Sequence, residues 1–342
     1  MKPIYNIPKS IEFDPFTPAW WGSGPHAQTI FANKLRNKNG ITLHREKFNT
    51  PDGDFLAIDF ANFSTPNYVD IPPTAPLLLC LHGLEGSAES VYMLETYRHA
   101  LPAGFRPIGM NFRSCGGEMN HTWRMYNAGE TNDLALVVDY LLQKFPQAHS
   151  LHITGVSLGG NILVKYLGEG RPLPTKLQSS AVISPPFDMN LGIKQLLNGM
   201  GWLYGYRFLR TLKSKTRQKE HLVKDKVDVE RCYAAKTLLE FDEYGTSQLY
   251  GYKNAADYYT QCGCHQFLAG VETPLFIIRS LDDPFMDPAD IPYDIINRKE
   301  NLFAAITEFG GHVGFMSSKR HFWAEHLAVK FVHQHAQEKI NL

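Results

Sequence analysis

The stretch Gly155-Val156-Ser157-Leu158-Gly159-Gly160 lies between a short apolar run, residues 151–154, and a helical run, residues 161–167. This order predicts a strand, a tight glycine-rich turn and a helix. A serine on such a turn projects its hydroxyl beyond the strand, where the positive end of the following helix faces a developing negative charge. The flanking glycines lack the Cβ atoms that would collide where strand and helix approach closely. Ser157 is therefore the candidate nucleophile.

A serine hydroxyl is a poor nucleophile at neutral pH, and it needs a histidine base that is itself oriented by a carboxylate. Both residue types follow predicted strands near the C-terminus. His312 lies in a glycine-flanked loop after the last predicted strand, so its ring can reach Ser157. Of the adjacent Asp282 and Asp283, the second is preferred, because known serine triads of this strand order typically place the acid three residues after a small residue at the end of the strand, here Ser280. Asp282 stays open as the alternative.

Two backbone amides are predicted to hold the oxyanion that forms when the serine attacks a carbonyl carbon. One is the N–H of Leu158, directly after the nucleophile. The other is the N–H of Leu84, in the loop that follows an early apolar strand. Gly83 lets this loop turn inward, and the preceding His82 is expected to pack and hydrogen-bond within it.

The remaining sequence predicts how these pieces are assembled. Apolar strands alternate with helices, which predicts a single α/β domain over residues 1–342 with a mostly parallel central sheet flanked by helices. The predicted strands are 76–81, 107–112, 151–154, 181–184, 274–279 and 303–309, and the predicted helices include 88–100, 130–145 and 320–337. Residues 41–49 and 54–63 predict an antiparallel hairpin at a sheet edge. Residues 188–272 have helical patterns throughout, which predicts a cap inserted between sheet strands. The first 40 residues are expected to wrap the surface of the domain.

Composition excludes several classes of partner and cofactor. The 34 basic and 34 acidic residues give a net charge of zero, which argues against a nucleic-acid partner. The five cysteines are mostly scattered, and neither they nor the glycine pairs form a metal or nucleotide motif, so no metal or cofactor is expected. The N-terminus has no signal-like apolar core, and no apolar run approaches the roughly 20 residues of a membrane span. We therefore expect a cytoplasmic protein without stable membrane insertion.

Several of these stretches together resemble the α/β-hydrolase superfamily, and in detail its YheT-like branch, which is related to the eukaryotic ABHD-type esterases. The resemblance is carried by Pro25-His26-Ala27-Gln28-Thr29, His82-Gly83-Leu84-Glu85-Gly86-Ser87, Gly129-Glu130-Thr131-Asn132-Asp133, Ser157-Leu158-Gly159-Gly160-Asn161, Asp282-Asp283-Pro284-Phe285 and Gly310-Gly311-His312-Val313-Gly314-Phe315. These stretches extend over nearly the whole chain. The resemblance implies a triad of Ser157, Asp283 and His312 that hydrolyses carboxylic esters.

The expected partner is a small-molecule ester, and the apolar, aromatic cap favours short- to medium-chain acyl groups. Alternatives within serine chemistry are a lipase or phospholipase, a thioesterase and an amidase. From a different class, the chain could be a non-catalytic binding module on the same fold, or a lipid-surface protein that uses Phe16, Trp20 and Trp21. The sequence names neither the ester nor the oligomeric state.

Overall fold

The central feature of the computed structural model is one sheet, and the structure describes residues 4–20, 22, 24–317 and 321–338. Nine strands within these residues pair in the order β1-β9-β8-β7-β6-β4-β5-β3-β2. The strands are β1 (Ile4–Asn6), β2 (Ile41–Asn49), β3 (Phe55–Phe63), β4 (Leu77–Leu81), β5 (Arg106–Asn111), β6 (Leu151–Val156), β7 (Leu177–Ile183), β8 (Leu275–Ser280) and β9 (Leu302–Thr307).

The sheet is parallel from β5 to β9, and its two edges are antiparallel. Strands β5, β4, β6, β7, β8 and β9 pair in parallel, while β2 and β3 form a hairpin at one edge and β1 pairs antiparallel with β9 at the other. All residues of β6 are buried, as expected for a central strand covered on both faces. The predicted fold class, an α/β-hydrolase fold with a mostly parallel sheet, is confirmed.

Helices cover both faces of this sheet. The helices are α1 (Pro25–Leu35), α2 (Val91–Ala100), α3 (Asn132–Lys144), α4 (Leu158–Gly168), α5 (Met189–Leu197), α6 (Gly201–Gln218), α7 (Glu220–Val223), α8 (Val229–Ala234), α9 (Leu238–Phe241), α10 (Ser247–Tyr250), α11 (Ala255–Cys262), α12 (Tyr293–Arg298) and α13 (Trp323–Glu338). Side chains of β4 alternate between the faces. Leu77, Leu79 and Leu81 join the core under α3 and α4, whereas Leu78 and Cys80 join the core under α2 and α13.

Residues 188–272, for which the sequence predicts a cap, contain helices α5 to α11, a π-helical turn (Asp242–Thr246) and a 3-10 helix (Cys264–Gly270) between β7 and β8. They have a small apolar core of their own around Leu209, Val223 and Phe241. Lys219, at the end of α6, is almost fully buried, and its Nζ donates to the carbonyls of Thr122 (2.7 Å) and Arg124 (2.6 Å). This ammonium joins the helical segment to the loop before α3.

The first 40 residues differ from the surface wrapping that the sequence predicts. They contribute strand β1 to the sheet and helix α1, which lies beside the loop of His312. Phe16 is buried against Phe315, while Trp20 is 84% exposed, and Trp21 lies outside the described residues. A three-residue strand has too few positions for an alternating pattern, so its pairing depends on the free edge of β9.

Two buried histidines make the stability of the fold depend on pH. Burial lowers the pKa of His82 and of His152 from 6.5 to about 3. His152 lies on β6, hydrogen-bonded to the hydroxyls of Ser150 (2.9 Å) and Ser179 (2.8 Å). The unfolded chain takes up protons at these histidines as the pH falls through 6.5, while the folded chain does not until the pH is near 3.

We therefore expect the unfolding free energy to fall by about 2 kcal/mol for each histidine when the pH is lowered from about 7 to about 5. Urea unfolding of the wild type and of His152→Gln at both pH values measures the contribution of His152 to this loss. Burial raises the pKa values of Asp242 and Glu325, so these two carboxyl groups change the stability with pH in the opposite direction. Because the wild type and the variant both contain them, their contributions cancel in the comparison. The same pH dependence in the wild type and in the variant would contradict this assignment.

Candidate active site

Ser157 occupies a strained turn between β6 and α4. Its backbone has φ 54° and ψ −119°, a conformation that non-glycine residues rarely adopt, and its N–H donates to the Ile183 carbonyl at 2.8 Å. The glycines on either side make the turn possible. A Cβ on Gly155 would lie 2.5 Å from the Gly159 carbonyl oxygen, and a Cβ on Gly159 would lie 2.6 Å from the His82 carbonyl oxygen. The turn therefore requires hydrogen at both positions.

The structure brings Ser157, His312 and Asp283 into one hydrogen-bonded chain. His312 Nε2 lies 2.8 Å from Ser157 Oγ, and His312 Nδ1 lies 2.8 Å from Asp283 Oδ2. Nδ1–H donates to the carboxylate, which leaves the lone pair of Nε2 to accept the serine hydroxyl proton. Asp282 has a different position, because its Oδ1 accepts the backbone N–H of Gly311 at 2.9 Å.

The loop that carries His312 is held by side chains from separate elements. The Thr29 hydroxyl of α1 accepts the His312 N–H (3.1 Å), and the Ser184 hydroxyl donates to the His312 carbonyl. The Ser280 hydroxyl at the end of β8 donates to the Gly311 carbonyl at 2.6 Å. These bonds use backbone groups of the loop, so both imidazole nitrogens remain available for Asp283 and Ser157.

Gln28 and Phe285 complete the support of this loop. Gln28 is fully buried, and its amide binds both the N–H (2.8 Å) and the carbonyl (3.1 Å) of Met316. The Phe285 ring stacks on the imidazole of His312 at a centroid distance of 4.2 Å, and the Phe285 N–H donates to Asp283 Oδ1 at 2.8 Å. The ring therefore restricts the imidazole, while its backbone satisfies the second carboxylate oxygen.

A fully buried arginine lies behind Asp283. Arg279 donates to Asp283 Oδ2 at 2.5 Å and to Asp290 Oδ1 at 3.1 Å, and all three side chains are inaccessible to solvent. Burial raises the pKa of Asp290. Counted as ionised, the three groups carry one net negative charge. Arg279 and His312 thus share one carboxylate oxygen, Asp283 Oδ2, and Asp290 is a second acceptor for the arginine.

Two backbone amides in the segments around the serine have no acceptor among the described residues. Gly83 lies against Ser157, since a Cβ built on this glycine would be 3.2 Å from the serine Cβ. In the same loop the N–H groups of Gly83, Glu85 and Gly86 all have protein acceptors, whereas that of Leu84 has none within the described residues. The N–H of Leu158, at the start of α4, is likewise without an acceptor there. Both amides named from the sequence are thus available to an oxyanion.

His82 holds the Leu84 loop from behind. Its Nδ1 donates to the Gly83 carbonyl at 2.7 Å, and its Nε2 accepts the Phe112 N–H at 3.2 Å. Burial keeps this ring neutral, because its pKa is lowered to about 3. His82 is therefore part of the loop's support and does not contact Ser157 Oγ.

A cavity of about 1280 Å³ contains Ser157 and His312 and extends under the cap. The cap side is largely apolar and aromatic, with Ile193, Phe208 and Tyr258 among its walls. Three carboxyl groups also line the cavity, those of Glu85, Glu89 and Asp242. Asp242 accepts the hydroxyl of Tyr259 at 2.6 Å, and burial raises its pKa to about 6. The cavity can therefore take a mostly apolar group beside the serine.

Within the described part of the chain, no group of three or more histidine, cysteine, aspartate or glutamate side chains has a geometry suited to a metal ion. Cys262 and Cys264 are buried, and the Cys264 thiol donates to the Pro186 carbonyl at 3.5 Å. Among the helices in the described residues, none has the length and hydropathy needed to cross a bilayer.

Comparison with known proteins adds the family. The alpha/beta hydrolase fold family matches residues 76–319. The putative esterase YheT of Escherichia coli (strain K12) is 32% identical over 308 residues, covering 88% of this chain and 87% of that protein. The chain belongs to the alpha/beta hydrolase fold family. Phospholipase ABHD3 of Bos taurus is 30% identical over 303 residues, covering 88% of this chain and 73% of that protein. The resemblance to the YheT-like and ABHD-type hydrolases is confirmed.

Solved structures support the fold assignment of this alpha/beta hydrolase. The esterase Pf2001 of Pyrococcus furiosus superposes with a TM-score of 0.57, at 14% identity, over 97% of this chain and 98% of that one. At this identity the likeness concerns the fold alone.

Sequence reasoning missed several residues that support the site of this alpha/beta hydrolase. Gln28 and Thr29 belong to a stretch that carried the resemblance, but no local pattern connects them to His312. The sequence could have indicated the role of Arg279, because a charged residue inside the otherwise apolar strand β8 requires a buried partner. Asn161 is a third case: its amide binds the carbonyls of Ala128 and Cys262 at 2.9 Å, which joins α4 to the cap.

The glycine requirement of the turn is directly testable. Gly155→Ala places a methyl group 2.5 Å from a backbone oxygen, so we expect it to lower the unfolding free energy by about 3 kcal/mol or more. Gly24→Ala is the matched control, because its Cβ meets no described atom within 4 Å and should change stability by less than about 0.5 kcal/mol. Urea unfolding followed by circular dichroism measures both. Equal stability of the two variants would refute the packing argument.

Proposed function

We propose that this chain is a carboxylic ester hydrolase that works through an acyl-enzyme on Ser157. The observation that carries the proposal is the hydrogen-bonded chain from Ser157 through His312 to Asp283, with both contacts at 2.8 Å, at the floor of the cavity. Three groups in these positions are what a serine nucleophile, its base and an orienting acid require. The esterase and phospholipase relatives support the same reaction class.

In the first half of the proposed reaction, Ser157 Oγ attacks the ester carbonyl carbon while His312 Nε2 takes the hydroxyl proton. The carbonyl oxygen becomes an oxyanion, which the N–H groups of Leu84 and Leu158 stabilise. The tetrahedral intermediate collapses, the bond to the alcohol oxygen breaks, and His312 returns the proton to that oxygen. In the second half, water attacks the acyl carbon while His312 takes its proton. The bond to Ser157 Oγ then breaks, His312 returns the proton to Oγ, and the acid leaves.

The buried charges behind the triad suit this proton transfer. Arg279, Asp283 and Asp290 together carry one net negative charge, so protonation of His312 makes the cluster neutral. A charge that appears in a dry site is less costly when an opposite charge is already in place. Arg279 thus positions Asp283, and Asp290 preserves the attraction of Asp283 for the imidazolium.

The substrate we propose has a short- to medium-chain acyl group lodged under the cap. The apolar walls around Ile193 and Phe208 support this choice. A phospholipase is the second candidate, because the ABHD3 relative is a phospholipase and the cavity of about 1280 Å³ exceeds the roughly 300–1,000 Å³ of typical small-ligand sites. A panel of p-nitrophenyl esters of rising chain length, alongside phosphatidylcholine, separates the two candidates.

A cytoplasmic location belongs to the same proposal. All five cysteines are buried and unpaired, which a reducing compartment favours.

The first test is hydrolysis of p-nitrophenyl esters by the wild type and by Ser157→Ala. We expect turnover by the wild type and a loss of about 10⁴-fold or more in the variant, because the nucleophile is removed. Labelling by a fluorophosphonate should disappear in parallel. A wild type that neither turns over any ester nor reacts with the fluorophosphonate would favour the non-catalytic binding module.

The two adjacent aspartates supply the second test. Asp283→Asn should lower kcat by about 10⁴-fold, because it removes the acceptor that fixes the His312 tautomer. Asp282→Asn is the matched variant, and its smaller effect should reflect a loosened Gly311 contact only. Rates on one soluble ester, with circular dichroism spectra to confirm folding, decide between them. A larger loss in the Asp282 variant would assign the acid to that residue instead.

A further inference from the structure

The outer side of α6 exposes a group of large apolar side chains. Met200, just before the helix, is 51% exposed, and Trp202, Leu203 and Tyr206 are 49%, 57% and 50% exposed. We call these four residues the α6 apolar face. Trp202 and Tyr206 stack on each other at a centroid distance of 5.6 Å, and Leu203 precedes Tyr206 by three positions, which places the two on one side of the helix. Contiguous apolar patches are uncommon on soluble monomers and mark interaction sites.

The inner side of the same helical turns explains why these side chains point outward. Gly201 and Gly205 face α5, and a Cβ at these positions would lie 1.9 Å from the Gln195 carbonyl oxygen and 3.1 Å from that of Leu196. The close packing of α5 and α6 leaves room only for hydrogen there. In the first two turns the side that faces α5 therefore carries glycines, while Trp202, Leu203 and Tyr206 lie on the outside.

The charges around this face have one sign. Residues 189–219 contain seven basic residues and no acidic residue: Lys194, Arg207, Arg210, Lys213, Lys215, Arg217 and Lys219. Lys215 and Lys219 are used inside the molecule. Arg207 and Arg210 are exposed, follow Leu203 at helical spacings of four and seven, and make no ion pair with the described residues. An apolar helix face bordered by arginines has the composition of a helix that lies at an anionic lipid surface.

The inward-facing residues of α6 line the proposed substrate site. Tyr204 and Phe208 form part of the cavity wall and contact Phe285, whose ring stacks on His312. Tyr204 also stacks on His26 of α1 at 6.0 Å, so the cavity is bounded by α1 and α6 together. A surface that touches the outer face of α6 would thus lie next to the cavity that contains Ser157.

We propose that the α6 apolar face, with Arg207 and Arg210, docks this protein onto an anionic phospholipid surface and places its cavity beside lipid-borne esters. A second copy of the chain fits this face less well. A two-fold contact there would bring the arginines of both copies together, and the segment 189–219 supplies no acid to pair them. Any effect of docking on turnover rests on the proposed esterase function, whereas the docking itself does not depend on that function.

The test is flotation of the full chain with vesicles of phosphatidylcholine alone and of phosphatidylcholine mixed with phosphatidylglycerol. We expect the wild type to float with the mixed vesicles and to remain mostly unbound with phosphatidylcholine alone. The double variant Trp202→Glu/Leu203→Glu should lose at least about tenfold in vesicle affinity, and Arg210→Glu about fivefold. Neither variant touches a residue of the cavity wall, so hydrolysis of a soluble short ester should be unchanged.

Tyr68→Glu is the matched control. Tyr68 is 68% exposed but lies near Arg106 at the start of β5, at the N-terminal end of the parallel strands, whereas Ser157 follows the C-terminal end of β6. This variant should float like the wild type. Ser157→Ala should float as well, which separates a failure of docking from a failure of the esterase proposal.

Three results would overturn the docking proposal. The first is a wild type that does not float with either vesicle, and the second is a double variant that floats equally well. The third is a wild-type dimer in solution that the double variant dissociates, since the face would then be an interface between copies. Light scattering after size-exclusion chromatography detects this dimer.

Discussion

The backbone turn at Ser157 is the constraint on which the rest of the structure depends. A φ of 54° is held there because β6 is buried on both faces and α4 begins at the next residue. Gly155 and Gly159 allow the strand and the helix to approach to distances at which a Cβ would meet backbone atoms. The same turn presents the serine hydroxyl and the N–H of Leu158, which has no acceptor among the described residues, at one place, so the proposed nucleophile and the proposed oxyanion donor are positioned by a single local geometry.

His312 is positioned in a different way, because side chains from distant elements hold the backbone of its loop. Thr29, Ser184 and Ser280 hold the loop from α1, from the end of β7 and from the end of β8. These hydroxyls bind backbone groups only. The imidazole ring is therefore placed by the convergence of distant elements, while its two nitrogens stay available for Asp283 and Ser157.

Helix α6 has one side on the cavity that contains Ser157 and the other side on the exterior of the molecule. Its glycines permit close contact with α5, its Tyr204 and Phe208 wall the cavity, and its bulky residues are left on the outside. Lys219, at its C-terminal end, is buried and bound to two carbonyls before α3. The helix is thus anchored at one end and presents its apolar face at the other.

The sequence by itself determined the strand–turn–helix around Ser157, the order of serine, aspartate and histidine, and the alternation that builds a parallel sheet. These features depend on neighbouring residues, whose backbone preferences and apolar period are local. Only the tertiary structure decided which of the adjacent aspartates meets His312, and that Arg279 and Asp290 lie behind it. It also decided that Thr29 holds His312 from 283 positions away. Such contacts arise when separate strands end at one edge of a sheet. Their distances are set by tertiary packing, and no local sequence pattern predicts them.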